Sequence, residues 1–265
     1  MKISVVTISY NQAAFLEACL DSVARQKGSW EHIIVDPGST DVSRQIVERR
    51  KEQFSNLILE PDFGPADGLN KGFAKATGDI FYYLNSDDIV LEGAFEEAAK
   101  LFVANPGIDV VAGSGVFLDS SGSRLRQVWS DPIGRVRMAY GGSILVQPAT
   151  FIRASAFRNV RGFNTENHTN WDGELVTDLF LSGANFKFSN KIWGGYRLHQ
   201  TSITSSGKLT GKMEDWQARR LQKLGVYFPP WIEKALRIYY RLERILRHPS
   251  IILGRLRHGR VFGGA

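Results

Sequence analysis

"FYYLNSDDIV", residues 81–90, runs from an aromatic, apolar segment straight into two adjacent aspartates. The first half has the composition of a strand buried on both faces, as in parallel sheets. Two ionised carboxylates ~4 Å apart repel by about 4 kcal/mol at an effective dielectric of ~20. A positive group is therefore required beside Asp87 and Asp88. The milder alternative is that they cap a helix beginning near Leu91, since aspartate is favoured at helix N-termini.

Working outward from this stretch, short β-branched runs alternate with helical patterns, the mark of a mostly parallel sheet covered by helices. "KISVVTIS" (2–9), "EHIIVD" (31–36), "NLILE" (56–60), "DIFYYLN" (79–85) and "IDVVAGSGVFLD" (108–119) predict strands. Between them Phe15, Leu16, Cys19, Leu20 and Val23 share one helix face, with Asn11 placed as its N-cap. Ser39 or Thr40 is placed to open the next helix, Gly78 to follow a third and Pro106 to stop a fourth. "DSSGS" (119–123) is a turn by composition. The segment from Ser130 to Asn170 is poorly patterned, with a strand and a short helix expected around and after Pro148. "WDGELVTDLFLSG" (171–183) predicts a helix, "NFKFSNKIWGGYRLHQ" (185–200) a strand, and "TSITSSGKLTGK" (201–212) a mobile loop. A further helical pattern follows, then a last helix opened by Pro229-Pro230 and interrupted at Pro249.

Ser9 to Asn11, Asp36, and Asn85 to Asp88 each stand at the C-terminal end of a predicted strand. In open parallel sheets that edge is where ligands bind. Each residue alone is explained as a helix cap or turn residue, but their common position points to a site.

The chain of 265 residues is long enough for one large α/β domain and an appendage. Its one cysteine, Cys19, excludes an internal disulfide and reads as a buried, inert thiol. "MKISVVTISYNQ" carries too short an apolar run for a signal peptide, so the expected location is cytoplasmic. The net charge of +6 is uneven: from Lys208 onward there are 13 Lys/Arg against 4 Asp/Glu, and before it 20 against 23. A nucleic-acid binder would carry its basic face on the folded domain. A basic tail with Trp231, Ile232, Leu236, Ile238, Tyr239, Tyr240, Leu242, Ile245 and Leu246 instead favours an anionic membrane surface, peripherally on the inner face of the plasma membrane. Packing of that helix on the domain is the alternative.

"VVTISYNQAAFLEACLDSVARQ", "HIIVDPGSTD", "GLNKGFAKATGDIFYYLNSDD" and "NWDGELVTDLFLSGANF", in this order, resemble the successive motifs of family 2 glycosyltransferases. The resemblance covers roughly residues 1 to 205. It implies an α/β GT-A fold, Rossmann-like, with a mostly parallel central sheet and helices on both faces. Residues 1–206 would be the catalytic domain, divided into a nucleotide-sugar-binding half (1–113) and an acceptor half (114–206), with 207–265 a helical basic extension. The implied reaction is inverting transfer of a sugar from a nucleotide-diphosphate donor, a UDP-sugar foremost, to a hydroxyl of a glycan or lipid-linked acceptor, with Mn²⁺ or Mg²⁺.

The family's D-x-D type motif falls on Asn85, Ser86 and Asp87, with Asn85 replacing the first acid. Asp87 takes the metal-ligand place, and Asp88 either supports the metal or caps the next helix. A divalent ion there would neutralise charge gathering on the leaving diphosphate. Asp36 matches the acid that hydrogen-bonds the nucleotide base, although Pro37 departs from the family pattern and removes one backbone N–H. Ser9 and Tyr10 match positions lining the base pocket. Asp67 and Lys71 read as a solvated ion pair or, by the family pattern, as donor-site residues. The base that deprotonates the acceptor falls on Asp172, with Glu174 second and Trp171 suited to stacking on a sugar ring. His199 matches a position where a histidine joins the metal or diphosphate, although a lone histidine is more often structural.

Other matches fail on context. "QARRL" (217–221) is similar to the Q-x-x-R-W of processive synthases but has Leu221 for the Trp, and it reads as helix surface. "GSGVFL" (113–118) lacks the third glycine of a dinucleotide fingerprint, and "NHT" at Asn167 is a glycosylation sequon only in an exported protein. The rival to an enzyme is a catalytically degenerate nucleotide-sugar-binding or scaffold protein on the same fold, motivated by Asn85 and Pro37. A nucleotidyltransferase would want a Gly-rich phosphate loop where this chain has "SYNQAAF".

Overall fold

The computed structural model describes residues 1–199 and 210–258. The first half alternates as the sequence predicts: β1 (Ile3–Ile8), α1 (Ala13–Ala24), β2 (Trp30–Val35), α2 (Ser43–Arg49), β3 (Asn56–Ile58), α3 (Pro65–Ala74) and β4 (Ile80–Asn85); a short β5 (Ile89–Val90), which no sequence pattern foreshadows, then precedes the expected α4 (Ala94–Ala104). The second half holds β6 (Val110–Leu118), β7 (Arg124–Val128), α5 (Arg135–Ala139), β8 (Thr150–Arg153), α6 (Ala154–Asn159), α7 (Trp171–Leu181) and β9 (Phe186–Arg197). It continues into α8 (Thr210–Leu224), α9 (Pro230–Arg247) and α10 (Ser250–His258). Neither β7 nor α5 is foreshadowed by a periodic pattern. Of the loop expected at 201–212, residues 201–209 lie outside the described residues, as does the expected domain boundary at 206, while Thr210 already begins α8.

Among the described residues the strands form one nine-stranded sheet in the order β3-β2-β1-β4-β8-β6-β9-β5, with β7 paired to β6. From β3 to β4 the pairing is parallel throughout. The sheet then becomes mixed: β8 runs antiparallel to both β4 and β6, while β6 and β9 are parallel. β4 shows why its sequence has no polar face. Ile80, Tyr82 and Leu84 enter a core built with α1, α4 and Trp193, while Phe81 and Tyr83 enter the opposite core with α3, α6 and α7. Successive strand side chains point to opposite faces, so an apolar residue is needed at every position. Burial of these side chains, at roughly 1.5–3 kcal/mol each, is the main term holding the layers together.

Several local expectations are corrected. Asn11 does not cap α1: the residue before the helix is Gln12, and Asn11 has a left-handed backbone with φ 52°. Its Oδ1 accepts the Thr40 and Asp41 amides at 2.8 and 3.3 Å, bracing the loop after β1 against the loop after β2. That second loop runs on to Val42, so α2 starts later than Ser39 or Thr40. Asp88 caps nothing, because α4 begins at Ala94 behind Gly93.

The basic tail packs on the domain. Leu224, Val226 and Tyr240 join Met138, Ala139 and Tyr140 in a separate core, and Gly142 leaves the space that the Tyr240 ring fills. Arg244 Nε lies 3.2 Å from the buried Asp131 and Glu243 Oε2 2.9 Å from Arg137, so ion pairs reinforce the seat.

Candidate active site

The register of the parallel strands builds the site. Ile8 stands opposite Val35 on one side and Asn85 on the other, so the next residues, Ser9, Asp36 and Ser86, emerge side by side. Backbone bonds continue the ladder by one step: Ser9 N–H to Val35 O at 2.9 Å and Ser86 N–H to Ile8 O at 3.2 Å. The expected row of polar residues at one sheet edge is present.

Asp36 is fully buried. Its Oδ1 accepts the Gly38 and Ser39 amides at 3.0 and 2.8 Å, while Oδ2 has no partner. Pro37 costs this turn nothing, because both amides come from the residues beyond it. A buried carboxylate oxygen without a donor is expensive and is made whole by an N–H from a ligand. Ser9 Oγ beside it is likewise buried and unpaired, whereas Tyr10 is 59% exposed. Asp67 and Lys71 form an ion pair at 3.3 Å that also clamps the preceding loop: Asp67 accepts the Phe63 amide at 3.0 Å and Lys71 donates to Pro61 O at 2.6 Å. Asp62, which sequence reasoning passed over, belongs to the same loop, and burial raises its pKa, with Asp67 and Asp36 adding to the effect.

Asp87 and Asp88 have separate fates. Asp88 is 2% exposed, its Oδ1 accepts the Arg197 amide at 2.8 Å, and its Oδ2 is unpaired. Burial first, then the charge of Asp87, push its pKa well up, against the pull of Arg197. Asp87 Oδ2 lies 2.9 Å from His199 Nε2, and the Asp87 carbonyl accepts Arg197 Nε at 2.8 Å. The positive group demanded beside the acidic pair is thus Arg197, at the end of β9. Its guanidinium also reaches the Asp119 and Ser120 carbonyls at 3.3 Å and covers the Phe15 ring. No sequence motif flagged it. Among the described residues no cluster of three or more His, Cys, Asp or Glu stands ready for a metal. Asp87 fits an ion of the Mg²⁺ kind, which in phosphate sites takes one or two carboxylates and completes its shell with phosphate oxygens and water, and the His199 imidazole in contact with it would suit Mn²⁺.

Of the residues expected on the acceptor side, Asp172 lines a cavity of about 100 Å³ together with Tyr83, Gln147, Leu175 and Arg220, while Trp171 and Glu174 stand outside its lining. Gln147 joins this cavity to the strand-end row: its Nε2 donates to Tyr83 O at 2.8 Å and its Oε1 accepts Asn85 Nδ2 at 3.2 Å. Asp172, in the first turn of α7, accepts the Gly173 amide at 2.8 Å, and burial raises its carboxyl above the ordinary carboxylate range. Trp171 packs against Phe163 and Tyr83, with ring centroids at 5.3 and 5.7 Å, so one side of the ring belongs to the core.

Glu174 is differently placed from its predicted role as second choice of base. It is 4% exposed and its oxygens take Lys223 Nζ at 2.6 Å and Asn167 Nδ2 at 2.6 Å, with Asn164 Nδ2 at 3.2 Å. Burial would raise its pKa, but these donors outweigh it and the net shift is downward. A carboxylate so held is an anchor between α7 and α8 and a poor proton acceptor. The same bond buries Asn167 and removes the sequon from consideration. "QARRL" is also corrected: Gln217 Nε2 donates to Ala139 O at 2.8 Å and its Oε1 accepts from Arg220, which lines the Asp172 cavity. The missed signal was the i, i+3 spacing of Gln217 and Arg220, which places them on one helix face.

A sequence profile described as Glycosyl transferase family 2 matches residues 4–161. A PGL/p-HBAD biosynthesis glycosyltransferase of Mycobacterium bovis is 30% identical over 176 residues, 64% of this chain and 66% of its own length. An uncharacterized glycosyltransferase of Nostoc sp. is 34% identical over 115 residues, 42% of this chain and 36% of its own length. The alignments therefore span less than two thirds of these relatives. S. aureus TarS 1-349 in complex with UDP-GlcNAc superposes with a TM-score of 0.68 at 19% identity, over 94% of this chain and 73% of its own. The mannosyltransferase PcManGT from Pyrobaculum calidifontis, in complex with GDP-Man and Mn²⁺, gives 0.64 at 19% identity over 96% and 74%. At such identities the likeness is one of fold.

Proposed function

The chain belongs to glycosyl transferase family 2, and on that premise we propose that it moves a sugar, with inversion, from a nucleotide-diphosphate donor to a hydroxyl of a glycan or lipid-linked acceptor. The observation that carries this reading is the Asp172 cavity sharing Gln147 with the loop of Asn85 and Asp87. A base and a donor end thus meet across one side chain. Asp36 Oδ2 wants an N–H. Uracil, thymine and guanine present one on the ring and cytosine and adenine do not, so UDP, dTDP and GDP donors fit. Neighbours bound to UDP-GlcNAc and to GDP-Man support a donor of this kind, and UDP is the first choice.

Asp172 takes the proton from the acceptor hydroxyl as its oxygen bonds to the anomeric carbon. The carbon–oxygen bond to the diphosphate breaks on the opposite face and its electron pair leaves with the nucleotide. Burial makes Asp172 a stronger base than an exposed aspartate. Asp87 and His199 are the residues that would hold Mn²⁺ or Mg²⁺, which supplies charge neutralisation at the departing diphosphate. Asp88 and Arg197 hold the Asp87 backbone in place.

The test is nucleotide release and sugar transfer from UDP-, dTDP- and GDP-sugars with Mn²⁺, in the natural chain and in Asp172→Asn. The variant should lose transfer by about 10²–10⁴-fold and keep donor affinity within a few-fold. Normal turnover by Asp172→Asn overturns the base, and release from none of the donors leaves a nucleotide-sugar-binding protein. The sign of the pKa shift adds a second readout. A carboxyl with a raised folded pKa costs stability above that pKa, so Asp172→Asn should melt at the same or a higher temperature at neutral pH.

A further inference from the structure

α9 carries its more apolar face on the outside. At about 100° per residue, Trp231, Ala235, Ile238, Tyr239, Leu242 and Leu246 fall within an arc of roughly 100°, and all are exposed, Trp231 by 72% and Leu246 by 79%. The inward face holds Leu236, Tyr240, Glu243 and Arg244, and there the charged groups are the ones that pair with the domain, on Arg137 and Asp131. A helix seated on a soluble domain ordinarily does the reverse. Exposed Lys234, Arg237 and Arg241 run along one flank of the row. Beyond Pro249, Ile252, Leu253 and Leu256 of α10 extend the apolar surface, at 48%, 61% and 79% exposure.

The row from residue 231 to 246 is about 22 Å long at 1.5 Å per residue, more than scattered surface leucines account for. Its features select one occupant. Aromatic residues on an apolar stripe, with cations beside it, suit a helix lying in the headgroup layer of an anionic bilayer. A second copy of this chain would oppose two strongly basic tails. Tyr240 is seated on Gly142, in the same 133–147 segment from which Ile133, Ser143 and Leu145 line the Asp172 cavity. We propose that the outer face of α9 and α10 docks on anionic membrane, which brings the cavity to the bilayer surface and makes a lipid-linked hydroxyl the acceptor class. The docking stands by itself; the acceptor class rests on the transfer reading above.

The experiment is cosedimentation of the full chain with vesicles of phosphatidylcholine alone and of phosphatidylcholine mixed with phosphatidylglycerol, at low and high salt. The natural chain should pellet with the anionic vesicles, and less so at high salt. The exposed pair Leu242→Glu with Leu246→Glu should lower the partition coefficient at least tenfold, and Lys234→Gln with Arg241→Gln should lower it about fivefold per cation removed. Both should retain vesicle-free nucleotide release and melting temperature. Equal pelleting of natural chain and the glutamate pair, or no pelleting of the natural chain, overturns the docking. So does a concentration-dependent dimer that the glutamate pair abolishes without any vesicle binding, which would assign the face to a second copy. Vesicle binding without nucleotide release from any donor overturns the acceptor class through the transfer reading and supports docking alone.

Discussion

Asp87 and Asp88 are neighbours in the chain and opposites in environment. One faces His199 at 2.9 Å, and the other is buried against the amide of Arg197. The electrostatic demand of two adjacent acids was legible from the local sequence, but its answer stands 109 residues away from Asp88. Glu31 shows the same logic in the scaffold. Lys2 Nζ at 2.8 Å, Ser4 Oγ at 2.5 Å and the Thr77 amide at 2.6 Å all converge on it. Burial would raise its pKa, but these donors win and hold it at about 2, against an ordinary 4.5. A depressed folded pKa contributes stability that is present above the unfolded value and lost as the pH falls from ~4.5 towards ~2. Glu31→Gln should therefore cost up to about 3 kcal/mol at pH 7, at ~1.4 kcal/mol per tenfold change in proton affinity, and flatten the loss of stability across that acid window. Urea titrations of both chains from neutral pH downward check this, and parallel acid curves would contradict it.

At the scale of elements, strand ends were legible and their connections less so. Periodicity located the strands and helices of the first half to within a few residues, because burial on two faces leaves a strong pattern. β7 has no such pattern, since all its residues are partly or largely exposed, and its place is settled only by pairing with β6. Where β9 crosses β6, close approach decides the residue type. A Cβ at Gly194 would fall on the carbonyl of Pro148, and one at Gly113 on the Trp193 ring. Pro148 follows Gln147, the residue that ties the cavity to Asn85. Gly194→Ala is expected to cost about 1–3 kcal/mol through overpacking and to weaken donor binding by moving Gln147. A thermal melt and a donor titration check it; an unchanged midpoint would show that the 147–149 turn yields freely.

For the whole molecule, the site draws on distant parts of the chain. Ser9, Asp36 and Asp87 come from the parallel half of the sheet, while Arg197 and His199 arrive at the end of β9, across the mixed half. A ligand spanning these parts should stabilise the molecule as a unit. Saturation at 100 times the dissociation constant corresponds to about 2.7 kcal/mol. UDP with Mn²⁺ should raise the melting temperature more than UDP alone, and Asp87→Asn should abolish the manganese-dependent increment while leaving that of UDP. A full increment in the variant would remove Asp87 from the metal site. Of the two fates expected for the tail, packing is the one seen: α9 packs on the domain by one face and leaves the other exposed, and among the described residues no helix is long and apolar enough to cross a membrane.

The amino-acid sequence by itself determined the alternating strands and helices, the polar residues at the strand ends, and through its motifs the candidates Asp36, Asp87, Asp172 and His199. These are short-range properties, written in hydrophobic period and in the residue that follows each apolar run. Only the tertiary structure decided which polar groups meet: the Arg197 amide with Asp88, Lys223 with Glu174, Gln147 with Asn85, and the inward turn of Arg220. Such pairs depend on sheet register and helix packing, which sum many weak contacts over distances in the chain where local pattern carries no information.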